Sequence, residues 1–507
     1  MSLTVENSAP GVTAIVNAGQ VSRPLKRQPT STAFIIGFAP WGPIGVPTVI
    51  TSWSEFKRKF GGFHSLGWLA DAAKIFFDYF GGRQIIAIRA GGASPVKGTI
   101  TLTNRATTPL ATFKFDAKYP SKTVALNIVV TDVAGSTDLC DIKITAAALG
   151  VVETYKSADL RSASDLAAIN EKSKLVTVSL VATAVSGATG RPQPAVGDGV
   201  AFDDGDDGSA TVVATDLGAY LTLLNDENLG TGQVLIPGYS KQNQAALMAH
   251  AEAYNRLALV EDAIATDYSD AANNLVASPS SYGAAYWPWV LMPAIDGTSG
   301  TKLYPPSIFA AGACAQVDRT VGTHKAPANI KVPAAVDVER NVDGTSMVND
   351  NVRAYLNQRN VNVITPIAGE GIKLYGGRVL AEVGETRVQF VHERRMLNLI
   401  YYTAKQGYRW AVFAVVDGAG RLFRDLRTSG ENFLRSLWRD GGLYGKTEGE
   451  AFLVVADETN NPAEELELGR VHVQLGVKLS PTAEQIFVNI DSVPLSQDLN
   501  ILTGGDN

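Results

Sequence analysis

Residues 65–90 read SLGWLADAAKIFFDYFGGRQIIAIRA, and this stretch decides the fold class. Ser65 can cap a helix that gathers Leu66, Leu69, Ala73, Phe76, Phe77 and Phe80 on one side, because positions three and four apart share a helix face. Gly81 and Gly82 stop that helix, and residues 84–90 follow as a strand. A helix feeding a buried strand predicts an α/β layer.

Upstream, residues 33–38 form an apolar run, Pro40, Trp41, Gly42 and Pro43 punctuate a loop, and 46–50 supply a second strand. Downstream, from about residue 94 to 215, the composition shifts to Thr, Ala, Val, Gly and Asp with short alternating stretches at 124–130 and 175–181. That pattern predicts a mostly β insertion. Helix and strand then alternate again, with helices at 217–224 and 242–254 and strands at 233–236, 257–264 and 284–290. The expected class is therefore α/β (α+β), a layered core shared by N- and C-terminal parts, with an inserted β domain and extended terminal arms. The expected divisions are an arm at 1–30, core at 31–94, insert at 95–215, core at 216–365, a C-terminal α/β domain at 366–490 and an arm at 491–507.

The chain ends carry strand-like residues without a core of their own. Val12, Ile15, Val16 and Val21 lie among Pro10, Pro24 and Pro29, which prevent a compact element. Val471, Val473, Leu475, Val477 and Leu479 alternate with polar neighbours, and Ile486, Val488 and Ile490 repeat the period of two after the Ser480-Pro481 turn. Unpaired strand-like arms are liabilities unless another chain pairs with them.

With 507 residues and 45% hydrophobic content, the chain can bury more than one core. Its net charge of −6 provides no global basic field for a nucleic-acid backbone. Cys140 and Cys314 stand alone, which argues against a zinc knuckle and a disulfide scaffold. The first ten residues lack a secretory pattern, and no apolar stretch reaches the roughly 18 residues of a membrane span. No nucleic acid, membrane insertion, cofactor or metal is therefore expected.

Motifs that carry chemistry fail one by one. Gly441, Gly442, Leu443, Tyr444, Gly445, Lys446 and Thr447 approach a phosphate-binding loop, but Asp440 stands where a glycine is needed and the segment precedes a strand, so a helix-ending turn is the reading. His392 and Glu393 would need a histidine at 396 to bind zinc, and Met396 is there. Asp203, Asp204, Asp206 and Asp207 form an acidic turn that misses the calcium-loop pattern and reads as solvated surface. The five histidines are scattered, and none accompanies a nucleophile motif, so no catalytic residue is nominated.

A helix over 420–439, at about 100° per residue, puts Arg421, Arg424, Arg435 and Arg439 within a narrow arc. Leu422, Phe423, Leu426, Phe433, Leu434 and Leu437 lie opposite. Such a helix buries one side and offers a basic stripe, unless Thr428, Ser429 and Gly430 break it.

Several segments, in order, resemble the contractile phage tail sheath protein family. They are Pro10-Gly11-Val12, TAFIIGFAPWGP at 32–43, TSWSEFKRKFG at 51–61, residues 76–89 with their Gly-Gly turn, and Tyr286-Trp287-Pro288-Trp289. The long run PPSIFAAGACAQVDRTVGTHKAPAN at 305–329 follows, then Tyr375 to Arg378, Arg394-Arg395, 410–413, 433–445 and 481–490. Residues 414–417 depart from the family's frequent Pro-Asn, and the acidic pair common after Pro-Gly-Val is missing.

The resemblance implies a non-enzymatic, cofactor-free sheath subunit. Such a subunit polymerises helically around a tail tube and contracts when the baseplate triggers, driving the tube through the host envelope for genome ejection. The implied partners are further copies through the terminal arms, the tail tube protein, and baseplate and tail terminator proteins. The implied location is the virion tail, assembled in the host cytoplasm. Residues Val12, Ile15, Val16, Val21, Ile486, Val488 and Ile490 are the candidate arm contacts, and Arg421, Arg424, Arg435 and Arg439 the candidate tube contacts. The insert is expected to face outward. The alternative is the sheath of a phage-derived tailocin or toxin-delivery device, and a β-rich surface adhesin is the rival from another class.

Overall fold

The computed structural model describes residues 24–106, 108–136, 138–181, 190–195, 197–203, 205–264, 266–339, 350–382 and 387–488. They group into two compact units, one of residues 29–400 with 479–488, the other of 24–28 with 401–478. The larger unit is built on nine strands: β1 (Thr32–Gly37), β2 (Thr48–Ile50), β3 (Ile85–Arg89), β4 (Gly232–Leu235), β5 (Leu257–Glu261), β6 (Gly283–Trp287), β7 (Ile330–Lys331), β8 (Val361–Ile367) and β9 (Gly371–Leu374). Their order is β7-β9-β8-β6-β5-β4-β1-β3-β2. The run β3-β1-β4-β5-β6-β8 is parallel, and β2, β9 and β7 are antiparallel edges.

Parallel strands need helical crossovers, so helices cover both faces and the strands read as unbroken apolar runs. On one face Ala33, Ile35, Ile85, Ala87, Leu257 and Leu259 pack with Leu69, Phe76, Ile308 and Phe309. On the other, Phe34, Ile36, Ile86, Ile88, Ala258 and Val260 pack with Leu247, Ala251, Leu275 and Leu356. The layered α/β core expected from residues 65–90 is present. Its leading helix differs at the start: it begins at Leu69, Trp68 provides no side-chain cap, and Leu66 is exposed in the preceding turn. Its last turn widens to a π-helix over Ile75–Tyr79, and Gly82 N–H closes on the Phe76 carbonyl at 2.9 Å. A Cβ on Gly82 would stand 2.1 Å from the Phe76 ring, which is why glycine ends this helix. The strand expected at 284–290 divides, because Val290–Pro293 joins a separate small sheet with Thr301–Tyr304 and Asp337–Val338.

Between β3 and β4 the chain forms two four-stranded sheets, one holding Thr99–Ala106, Ala111–Ala117 and Val176–Leu180, the other Asn127–Asp132, Cys140–Ala146 and Val151–Ala158. Phe113, Phe115, Ile128, Ile142, Ile144 and Val176 form their shared core. The insert leaves and rejoins the sheet at one point: Gly92 N–H donates to Asp207 O at 2.8 Å, and a Cβ on Gly92 would lie 2.8 Å from Gly208 Cα.

Arg89, at the end of β3, fastens that junction. Its guanidinium donates to the carbonyls of Ala39 (2.7 Å), Gly42 (2.7 Å), Pro40 (3.4 Å) and Pro120 (2.9 Å) and pairs with Asp207 at 2.7 Å, with both side chains buried. The acidic turn is therefore not a solvated loop at Asp207: burial presses its carboxyl upward, but hydrogen bonds from Ser209 and the Arg89 charge hold its pKa below the usual range. Asp204 lies outside the described residues.

The strand order reverses between β1 and β4, and in such sheets the crevice beyond the carboxyl ends at this point is where ligands bind. Here the protein's own side chains fill it. Phe38 and Tyr239, just after β1 and β4, meet edge to face at 6.1 Å, and a Cβ on Gly238 would stand 2.4 Å from the Trp68 ring. Glu261, at the end of β5, is buried there and accepts the Gly238 N–H at 2.7 Å. Burial pushes its pKa up to about 7, against the opposing hydrogen bond from the Gly238 N–H and the nearby hydroxyls of Ser307 and Ser240.

Removing one partner of the buried pair strands the other charge, so Asp207→Ala is expected to lose about 3–5 kcal/mol in urea unfolding; a loss under about 1 kcal/mol would contradict the role given to Arg89. For Glu261 the folded pKa lies above the unfolded one, so the folded state binds more protons between them. Its contribution is favourable at low pH and is lost as pH rises from the ordinary carboxylate range towards 7. Glu261→Gln should thus be more stable than wild type at pH 8 by about 1–3 kcal/mol, the gap closing below about pH 4.5. Thermal melts at both pH values check this.

Candidate assembly surfaces

The helix Arg421–Arg439 is continuous through Thr428-Ser429-Gly430. The small residues do not break it because they sit on its buried side: a Cβ on Gly430 would come within 2.6 Å of Tyr408 Oη and 3.2 Å of Val454 Cγ1. Leu422, Phe423, Leu426, Phe433, Leu434 and Leu437 are buried, as the periodicity predicts. Gly441, at φ 82°, ends the helix, with Gly441 N–H on Trp438 O and Gly442 N–H on Leu437 O, both at 2.9 Å. The phosphate-loop lookalike is thus a helix-ending turn.

The four arginines of the stripe differ in how they are held. Arg421 is exposed and pairs with Asp417 at 2.9 Å, while Arg424 and Arg439 are exposed on the same helix. Arg435 is partly buried and forks between Glu448 (2.7 Å) and Asn432 (2.7 Å). An exposed pair such as Arg421 with Asp417 is worth little and exchanges readily for a partner's carboxylate, whereas Arg435 is committed inside its own unit.

Immediately before this helix lies a feature that periodicity did not single out. Phe413 is fully exposed at a positive φ of 65°, with Val412 63% and Val415 83% exposed beside it. The signal was present in 410–418 as an apolar run with neither helical nor strand period, bounded by Asp417 and Gly418. An apolar loop tip of this kind is a candidate protein contact.

In the same unit Phe452–Val455 and Gln474–Val477 form a two-stranded antiparallel sheet. The alternation expected at 471–479 is realised as a strand over Gln474–Val477, with Val471, Val473, Leu475 and Val477 half-buried and His472, Gln474, Gly476 and Lys478 exposed. Two strands alone are marginal, and among the described residues each keeps one edge without a partner strand.

Near the N-terminus, Leu25 is buried, lying where a Cβ on Gly407 would be 2.3 Å from it, and Arg27 pairs with Asp440 at 2.7 Å. Val12, Ile15, Val16, Val21 and Ile490 lie outside the described residues. Ile486, Phe487 and Val488 are 81%, 84% and 74% exposed and belong to no strand. The segment before them is held: Glu484 pairs with Arg378, and Ser480 O contacts His392 Nε2 at 3.1 Å. His392 and Glu393 stand on the helix Val391–Gly407, with Met396 buried on the next turn.

Among the described residues, no three His, Cys, Asp or Glu side chains group where they could hold a metal ion, and no helix is long and apolar enough to cross a membrane. Both thiols are free and buried, and burial pushes Cys140 up to about 12 and Cys314 to about 11, far from thiolate reactivity.

Residues 197–379 match the family model described as phage tail sheath protein central domain. The tail sheath protein of Burkholderia phage BcepMu is 27% identical over 212 residues, 41% of this chain and 42% of that protein. The matched segments thus span less than half the length of the curated relatives. In fold, the chain is similar to the sheath tail protein Lin1278 from Listeria innocua, with a TM-score of 0.60 at 13% identity, covering 86% of this chain and 90% of that one. It is likewise similar to the PVC sheath complex of an extracellular contractile injection system in its contracted state, with a TM-score of 0.58 at 16% identity, covering 98% of this chain and 100% of that one. The central-domain match runs from the insert strand Gly197–Ala201 to the β9 hairpin and its following loop, and that stretch of the chain is similar to the central domain of phage tail sheath proteins.

Proposed function

We propose that this chain is a structural subunit that polymerises into a helical sheath around a tail tube and shortens to drive the tube through an envelope. Its work is mechanical, with energy stored in the assembled lattice and no nucleotide consumed. The observation that carries this is the exposed apolar segment Ile486–Phe487–Val488 together with a two-stranded sheet whose edges are open. A strand donated by one copy to the sheet of another satisfies both, and main-chain hydrogen bonds keep copies linked while their folded bodies rotate.

Under this reading Val12, Ile15, Val16 and Val21 belong to the N-terminal arm and Ile486, Val488 and Ile490 to the C-terminal one. The exposed arginines Arg421, Arg424 and Arg439 face the tube protein, while Arg435 mainly braces its own unit through Glu448. Baseplate and terminator proteins bound the cylinder at its ends, and the inserted domain lies on its outside. The virion tail is the location. A phage-derived injection device shares all of these parts, and a DNA-filled head on particles from producing cells separates the two.

Purified full-length protein at rising concentration, viewed by negative-stain microscopy, should form striated hollow cylinders wide enough to enclose a tube. Persistent monomers, with tube present, would sink the reading. Deleting residues 1–22 should leave a folded protein that cannot polymerise, and normal cylinders from that truncation would remove the N-terminal arm from the mechanism. Charge reversal at Arg421 and Arg424 should weaken tube docking about tenfold or more without lowering the melting temperature by more than a degree or two, since exposed charges contribute little to folding.

A further inference from the structure

The C-terminal arm leaves the larger unit at a built anchor. Arg378 Nε donates to both carboxylate oxygens of Glu484, at 2.9 and 3.1 Å, and Nη2 adds a further bond to the same carboxylate. Each side chain is 26% exposed, so the pair is partly shielded from water. Two-toothed, charge-assisted pairs of this kind are the strongest that a side chain makes. The pair joins residues 106 apart in sequence, and Glu484 holds the Arg378 pKa raised.

The platform under Arg378 is equally fixed. Its N–H donates to Asn362 Oδ1 at 2.7 Å, and its carbonyl accepts from Asn362 Nδ2 at 2.8 Å, so the buried Asn362 of β8 grips both backbone groups. The same Nδ2 donates to Ala285 O of β6 at 3.0 Å. A Cβ on Gly376 would stand 2.8 Å from Asn362, which holds the loop flat on the sheet. On the arm side, His392 meets Ser480 O four residues before Glu484. Pro481 and Ala483 are already exposed, and beyond Glu484 the apolar side chains of Ile486, Phe487 and Val488 are exposed as well. The arm root also forms one wall, through Thr482 and Ile486, of a groove of about 540 Å³ whose other side includes Asn329, Arg353, Tyr375 and Phe390.

We propose that the Arg378–Glu484 clasp, backed by Asn362 and by His392 on Ser480, is the anchor of the C-terminal arm. It fixes where the donated segment begins and passes a neighbouring copy's pull into β8 and β6. This rests on the sheath reading, in which that segment is held by another subunit. A load along a chain acts at the first contact that resists it, and here that contact is Glu484. Arg378 is a positioning residue: it does not touch the neighbour, but it sets the arm's take-off.

The test uses the full chain with Arg378→Ala, Glu484→Ala, Arg378→Lys and the charge swap Arg378→Glu with Glu484→Arg. Amide exchange at 480–488 in the monomer reads the clasp, and the concentration at which cylinders form reads its transmission. Both single alanine variants should exchange about tenfold faster there and need about tenfold more protein to polymerise, as expected for a lost charge-assisted pair. The lysine variant, keeping charge without the fork, should fall between, and the swap should recover most of the loss. Unchanged exchange in Arg378→Ala, or faster exchange with wild-type polymerisation, overturns the proposal. A swap no better than its singles also overturns it. If wild type forms no cylinders while the exchange effect is present, the sheath reading has failed rather than the clasp.

Discussion

Arg89 is the constraint on which the larger unit depends. A guanidinium carries five N–H donors in a fixed plane and cannot shed its charge, so burying one requires acceptors at every corner. Four backbone carbonyls and Asp207 supply them, and they come from three stretches: the loop after β1, the link between the insert strands Ala111–Ala117 and Asn127–Asp132, and the insert's return. Each stretch is irregular and would otherwise have unpaired carbonyls facing a dry interior. One side chain thereby fixes the end of β3, the loop 39–42 and two points of the inserted domain, Pro120 and Asp207. Replacing it by an apolar residue would take the Arg89 donor from the carbonyls of Ala39, Gly42 and Pro120, while Pro40 O keeps Ser121 Oγ, and would leave Asp207 without a counter-charge.

The sequence made the core legible because a strand buried on both faces must be largely apolar, and residues 33–38, 84–90, 233–236 and 257–264 read that way, the last ending as a strand at Glu261. The amphipathic helix was equally open, since Leu422 to Leu437 repeat at helical spacing over about four turns. What failed was local. Ser65 has the chemistry of a cap, but the chain is still turning there, and nothing in a cap residue says how far away the first helical turn begins. Asp207 read as one of four surface acids because its partner stands 118 positions away. Gly430 looked like a breaker when it is a spacer, a distinction that only the Tyr408 hydroxyl opposite it decides.

Among the candidate surfaces, the arginines were legible as a stripe but not as individuals, because periodicity gives direction and not partners. Glu448 commits Arg435 to its own unit, whereas Arg421 keeps an exposed pair with Asp417. The loop tip at Phe413 was invisible to period counting for the opposite reason: it has no period. Its exposure is informative because a large aromatic side chain in a left-handed turn gains nothing in an isolated subunit.

The meeting of Gly92 with Gly208 has a bearing on how this protein can change over time. The insert enters and leaves the sheet through a gate two glycines wide, and its core shares no residue with either face of the sheet. Such a domain is a cassette. Whole modules can be exchanged or enlarged at 93–207 while β3, β4 and the crossover rules of the parallel sheet stay intact, provided the replacement returns a carboxylate and a carbonyl to Arg89 and covers Trp41. The insert can therefore diversify while the parallel sheet stays under separate constraint.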